Sequence, residues 1–164
     1  MREWFFAKPN RVRTLLNLWP PFFFSGIKIL SISPDFRRCK VKLKNWPGTR
    51  NANGTQFGGS LFAMTDPIYS LMLMGLLGSK YFVWDKSAHI EFQKPGVGEV
   101  SVECVISDEM LAAIKENTAG GDKYLPEVVN IITDRQGTVV ATVSRVLYVR
   151  LKPPFRPRNG EQAG

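Results

Sequence analysis

Hydrophobic positions fall into runs whose spacing suggests an element at each stage of the chain. Over residues 9–18, Val12, Leu15, Leu16 and Leu18 recur at helical intervals with polar residues between them, which predicts a short helix ended by Trp19-Pro20-Pro21. Phe22, Phe23 and Phe24 follow with no helical continuation expected. They either cover an apolar opening or subunit contact, or pad the edge of the core. Residues 27–33 and 37–44 predict strands. In the second, Cys39, Val41 and Leu43 alternate with Arg38, Lys40, Lys42 and Lys44, so one face is apolar and the other basic. An Asn-, Gly- and Pro-rich loop over 45–56 then leads into the longest apolar run, 57–78, which predicts a long helix bent at Pro67. Strands are expected over 81–93 and 99–107. A short helix opened by Ser107-Asp108-Glu109 should end near Gly120-Gly121, and strands over 124–133 and 138–150 should join through Asp134-Arg135-Gln136-Gly137. No internal repeat interrupts this order. The class it predicts is α+β, an antiparallel curved sheet wrapped around one long central helix.

A chain of 164 residues that is 44% hydrophobic is one domain with enough apolar material for a core. Residues 1–152 should form that domain, N-terminal helix included. Residues 153–164, with Arg156 and Arg158, should be a basic flexible tail. The net charge of +8 favours anionic partners: nucleic acid, anionic lipid and the phosphates of coenzyme A all qualify, as does a plain solvated surface. The basic stripe over 37–44 lacks interleaved aromatic residues for base stacking, and no recognition helix appears, so nucleic acid ranks last. Cys39 and Cys104 belong to no paired motif and are expected as buried thiols in a reducing compartment. One His and two scattered Cys give no metal site of ordinary spacing. The N-terminal residues show no apolar run followed by a small-residue cleavage site, so a cytoplasmic location is expected. Residues 57–78 are long enough for a membrane span, but Asp66 at its centre would cost about 2.5 to 3.5 kcal/mol and Pro67 would leave a carbonyl unsatisfied. A buried core helix is the preferred reading.

Asp66 is the one charge in that run. A carboxylate amid Phe62, Met64, Ile68, Leu71 and Met72 needs a compensating reason, and catalysis is one. Gly58-Gly59 stands at the expected helix start, where backbone N–H groups lack intrahelical acceptors and the helix dipole favours an oxygen gaining negative charge. About two turns separate these donors from Asp66, so both should face one cleft.

The pattern Asn51, Gly54-Thr55, Phe57, Gly58-Gly59 and Asp66 resembles hotdog-fold acyl-CoA thioesterases of the phenylacetate-pathway branch. One position departs, since Phe57 stands where better-known members carry His. The resemblance implies a homodimer with the cleft between subunits, a dimer of dimers as a further assembly, and an acyl-CoA or acyl-carrier substrate with no other cofactor. It also implies Asp66 as general base or nucleophile, Gly58 and Gly59 as oxyanion donors, and Asn51 orienting substrate or water. Gly54, Thr55, Phe57, Thr65, Tyr69 and Lys86 are carried as substrate-binding candidates. Lys86 or Lys94 would meet a coenzyme A phosphate, and Tyr69, Met72 and Leu73 share the helix face that would line an acyl cleft. A non-catalytic acyl-binding protein of the same fold is the alternative. A Ser60, His89, Asp66 triad lacks the Gly-x-Ser-x-Gly elbow, and a hydratase would need the missing His.

Overall fold

The longest apolar run does not form one helix. In the computed structural model, which describes residues 2–157, it forms α4 (Gly58–Ala63) and α5 (Ile68–Leu77), separated by a turn through Thr65, Asp66 and Pro67. The expected bend is thus a full interruption. Pro67 has no N–H to continue the ladder, so it becomes the N-cap of α5, and Leu71 N–H takes its carbonyl at 3.0 Å. Gly58–Lys80 is long and apolar enough to cross a membrane by composition. Here it supplies the core: Leu61, Met64, Ile68, Met72 and Leu73 are buried, and α5 packs against the sheet.

That sheet has six antiparallel strands: β1 (Ile27–Ile32), β2 (Arg38–Leu43), β3 (Tyr81–Phe92), β4 (Val100–Val105), β5 (Glu127–Asp134) and β6 (Val139–Leu151), in the order β1-β2-β4-β5-β6-β3. A sheet of this order curved about a central helix is the hotdog fold, as the resemblance implies. The alternation in β2 is obeyed: Cys39, Val41 and Leu43 are buried. On the outer face Arg38 pairs with Glu103 and Lys42 with Glu99, both acids lying on or beside β4. Cys39 and Cys104 are direct cross-strand partners, both free and buried, and burial pushes the Cys39 thiol up to about 12. The β5–β6 turn is held by Asp134, whose Oδ1 accepts from Gln136 N–H at 2.9 Å and Thr138 N–H at 2.8 Å, with Gly137 at φ +81°. The strand expected from Tyr124 begins at Glu127, after Pro126, and Tyr124 itself forms an isolated bridge to Val149.

Three helical segments precede β1. Two of them differ from expectation: α1 (Arg2–Phe6) and α3 (Pro20–Phe24) flank α2 (Pro9–Leu18). In α3, Pro20 and Pro21 occupy the first turn, where a missing N–H costs nothing and a fixed φ favours the helix. The pair that ends α2 therefore starts α3. Only Phe22 of the Phe triplet is buried; Phe23 and Phe24 face outward. The helix after β4 is α6 (Asp108–Thr118), and the Ser107 hydroxyl caps it by accepting from Met110 N–H at 3.1 Å. Of the expected flexible tail, Pro153–Phe155 forms a 3-10 turn and Arg156 donates to Leu151 O at 2.9 Å. The rest of that tail, Arg158 included, lies outside the described residues.

β3 pairs on one side only, with β6. From Lys86 to Gln93 it is exposed apart from Ile90, and its register shifts between Asp85 and Ser87, which makes Lys86 the bulged residue.

Candidate active site

The loop before α4 is built by Asn51. Its Oδ1 accepts from Asn53 N–H at 3.0 Å and Thr55 N–H at 3.1 Å, while its Nδ2 donates to Thr55 Oγ1 at 2.9 Å and Gln56 O at 3.4 Å. These are the bonds of an Asx turn, and Gly54 at φ +72° closes it. Asn51 therefore shapes the loop, and it also lines the groove that the loop borders. Buried Gln56 pins the loop to the sheet by donating through Nε2 to Lys44 O at 3.1 Å and Gly98 O at 2.7 Å.

Gly58 and Gly59 follow as the first turn of α4. No side chain caps that turn, and among the described residues their N–H groups have no acceptor, because Ser60 and Leu61 N–H already take the carbonyl of Phe57. The absent Cβ atoms leave room that the chain's own rings use. A Cβ at Gly58 would lie 3.0 Å from the Phe92 ring, and one at Gly59 would collide with the Phe57 ring. An open groove of about 630 Å³ runs past this point, lined by Asn51, Thr55, Gly58, Leu61, Phe92 and Lys94 among others. Phe57 stands beside it with 56% of its surface exposed.

Asp66 does not line that groove. It lies in the break between α4 and α5, and its side chain is 57% exposed. It is not alone there. Arg145 of β6, 3% exposed, reaches the break and places Nη1 3.4 Å from Asp66 Oδ1 and 2.5 Å from Asp85 Oδ2. The same guanidinium donates to Thr65 Oγ1 at 2.8 Å through Nη2 and at 3.3 Å through Nε, and to Phe62 O at 3.3 Å. The Ser70 hydroxyl donates to the other oxygen of Asp85. At the end of α4 the Phe62 carbonyl already accepts from Thr65 N–H at 3.3 Å and from the Thr65 hydroxyl at 2.9 Å, and Arg145 adds a further donor while placing a cation where that helix dipole favours it. Two carboxylates share this one cation. Desolvation raises the Asp66 pKa from its ordinary value; the attraction of Arg145 opposes this and the neighbouring Asp85 adds to it, leaving the group raised.

Several residues expected at the site fall elsewhere. Thr65 is sealed behind Arg145 and offers no hydroxyl outward. Tyr69 points into the sheet, where its hydroxyl accepts from Val105 N–H at 3.3 Å and burial pushes its pKa up to about 12. Met72 and Leu73 are core residues and do not line the groove at Gly58. The groove's cation is Lys94 rather than Lys86. Ser60 is buried and His89 lies on the exposed stretch of β3, 3.9 Å from Glu91, so the triad is not assembled.

Arg145 and Asp85 escape a reading of the sequence although Arg145 carries a signal. Ala141, Val143, Leu147 and Val149 are the inward positions of β6, and Arg145 sits in the same parity. A charge at an inward strand position requires a buried partner, as Asp66 did.

The family model described as Domain of unknown function (DUF4442) matches residues 10–149. Among curated proteins none matches. A protein of unknown function from Pseudomonas aeruginosa, described as a probable thioesterase, is 20% identical with a TM-score of 0.76, over 87% of this chain and 95% of that one. A thioesterase from Haemophilus influenzae is 14% identical with a TM-score of 0.65, over 88% and 91%. The Escherichia coli PaaI protein of the phenylacetic acid degradation operon is 14% identical with a TM-score of 0.58, over 92% and 94%.

Proposed function

Because this chain belongs to the DUF4442 family and carries an outward-facing carboxylate of raised pKa and, apart from it, a groove with unpaired helix-start donors, we propose that it is a thioesterase acting on acyl-CoA or acyl-carrier thioesters. The observation that carries the reading is Asp66, open to solvent yet held by Arg145 and Asp85. A base works best with a proton affinity close to its task, and partial burial, with Asp85 adding to it, raises that of Asp66. Asp66 takes a proton from water, the resulting hydroxide attacks the thioester carbonyl, and the N–H groups of Gly58 and Gly59 hold the oxyanion. Collapse expels the thiolate, which takes up the proton that Asp66 received. Two fixed donors in such a place are worth roughly 3 to 4 kcal/mol of barrier each.

Within one copy the groove at Gly58 and the carboxylate at Asp66 lie apart, and the open edge of β3 is what joins them. Phe92, which covers Gly58, stands near one end of β3; Asp85, which shares Arg145 with Asp66, stands nearer the other. Antiparallel pairing of two β3 strands centred between Ala88 and His89, within the exposed stretch, sets Phe92 of one copy against Asp85 of the second. The homodimer thereby assembles donors from one chain and base from the other. Lys94 would meet a phosphate of the coenzyme.

One observation favours a second reading, an acyl-binding protein without turnover: the Phe57 ring lies over Gly59, where an oxyanion would sit. The two part in an assay of free thiol released from short-chain, aromatic and long-chain acyl-CoAs, run beside calorimetric binding of the same ligands. Release at a rate above buffer is expected. Binding of the panel with no release would assign the binding function instead.

A further inference from the structure

The groove and the carboxylate leave the N-terminal third of the surface unused, and its composition is unlike the rest. Eleven of the 22 Lys and Arg, but only two of the 14 acids, fall within residues 1–50; of these, Arg37, Arg38 and Lys42 stand at β2 and pair with Asp108, Glu103 and Glu99, so the cations that concern the helical face are those of α1, α2 and their flanks. Three of the four Trp lie in the same stretch, at positions 4, 19 and 46, and all three are exposed.

The exposed apolar residues of α2 and α3 gather in two clusters that follow each other along the chain. Leu18 is 66% and Phe24 74% exposed. Phe24 meets Phe23 edge-on at 5.4 Å, and Phe23 meets Trp46 at 6.3 Å. Trp19 packs on Phe22 at 5.5 Å and joins Leu15 and Leu18 along one wall of an apolar groove of about 430 Å³. Cations border the apolar patch: Arg11 stacks on Trp4 at 4.1 Å, Lys44 stands 4.5 Å over Trp46, and Lys8 and Lys28 are exposed. On the first three helices the one acid is Glu3.

We propose that the face formed by α1, α2 and α3 docks on an anionic lipid bilayer, with Leu18, Phe23 and Phe24 beneath the headgroups and the surrounding Lys and Arg among them. Water alone does not favour so many exposed large apolar side chains in one place. A second protein surface would satisfy the apolar part but gives no reason for the one-sided charge. An anionic membrane answers both, because Trp and Phe suit the headgroup boundary and a polybasic rim is drawn to the surface potential. The apolar groove opens on this face and extends to Pro67, the residue after Asp66. A bilayer-borne acyl chain would thus find a route toward the carboxylate, although docking itself does not depend on the thioesterase reading.

Sedimentation of the full chain with vesicles of phosphatidylcholine alone, or containing roughly one third phosphatidylserine, tests this. The wild type should sediment with the anionic vesicles, release as salt is raised, and show a blue shift of Trp emission. Leu18→Ser/Phe24→Ser should lower partition on the order of a hundredfold, with unchanged circular dichroism and unchanged mass by light scattering. Lys8→Glu/Lys28→Glu should weaken binding to the anionic vesicles. The proposal is overturned if the wild type stays in the supernatant, if the apolar variant sediments equally well, or if that variant instead changes the assembly's mass, which would give the face to a second copy.

Discussion

Arg145→Met is expected to destabilise the protein by about 3 to 5 kcal/mol, read as a fall in the urea midpoint at unchanged slope. The guanidinium is buried, and its removal leaves Asp85, 17% exposed, without its cation. Phe62 O and Thr65 Oγ1 lose a donor at the same time. The cost arises from the charge left behind more than from the lost attraction. The double variant Arg145→Met/Asp85→Asn should therefore recover a large part of the loss. Equal midpoints for single and double variants would show that Arg145 acts by packing on the Phe62 ring alone.

Asp66→Asn is expected to lower kcat/KM for acyl-CoA hydrolysis by about 10² to 10⁴, the usual contribution of a positioned general base. Binding of the same thioesters should change little, since the amide keeps the size of the carboxylate. The pH dependence carries an independent sign. As the proposed base, Asp66 would work as the anion, and its pKa is raised, so activity should fall on acidification at a pH above that of an ordinary carboxylate. Asp85 is among the groups that raise it, so Asp85→Asn should move this acid limb to lower pH. For stability the same shift acts in reverse: a carboxyl whose folded pKa is raised favours the fold most when protonated, and that contribution is lost as pH rises through the folded value. The outward exposure of Asp66 keeps this term small.

Much of this is legible in residue patterns because burial in a sheet enforces alternation. The strands follow from period-two spacing, and the central run follows from length and hydropathy. Its direction does not. A helix covered on nearly every side has no polar face to fix its rotation, so Tyr69, Met72 and Leu73 look like cleft lining and are core. Prolines mislead twice for one reason: Pro20 and Pro67 read as disturbances of a helix, whereas each stands at the start of one. Asp66 draws notice as a lone charge, but its partner lies 79 residues away on β6, a separation that no local pattern spans. The inward parity of Arg145 is the available clue.

The most direct test of the shared site uses two disabled chains. Gly58→Pro removes one N–H donor where the backbone accepts proline, since Gly58 is the first residue of α4 and Phe57 before it is extended at φ −65° and ψ 127°, and the Phe92 ring, 3.0 Å from the added Cβ, has to shift to admit it. Alone it should cost about 10² to 10³ in kcat, and Asp66→Asn alone should cost at least as much. Purified mixed dimers of the two should regain thioester hydrolysis well above either parent, because one of their two clefts then holds an intact donor pair and an intact carboxylate. Mixed dimers no more active than the parents would contradict a cleft assembled from both chains.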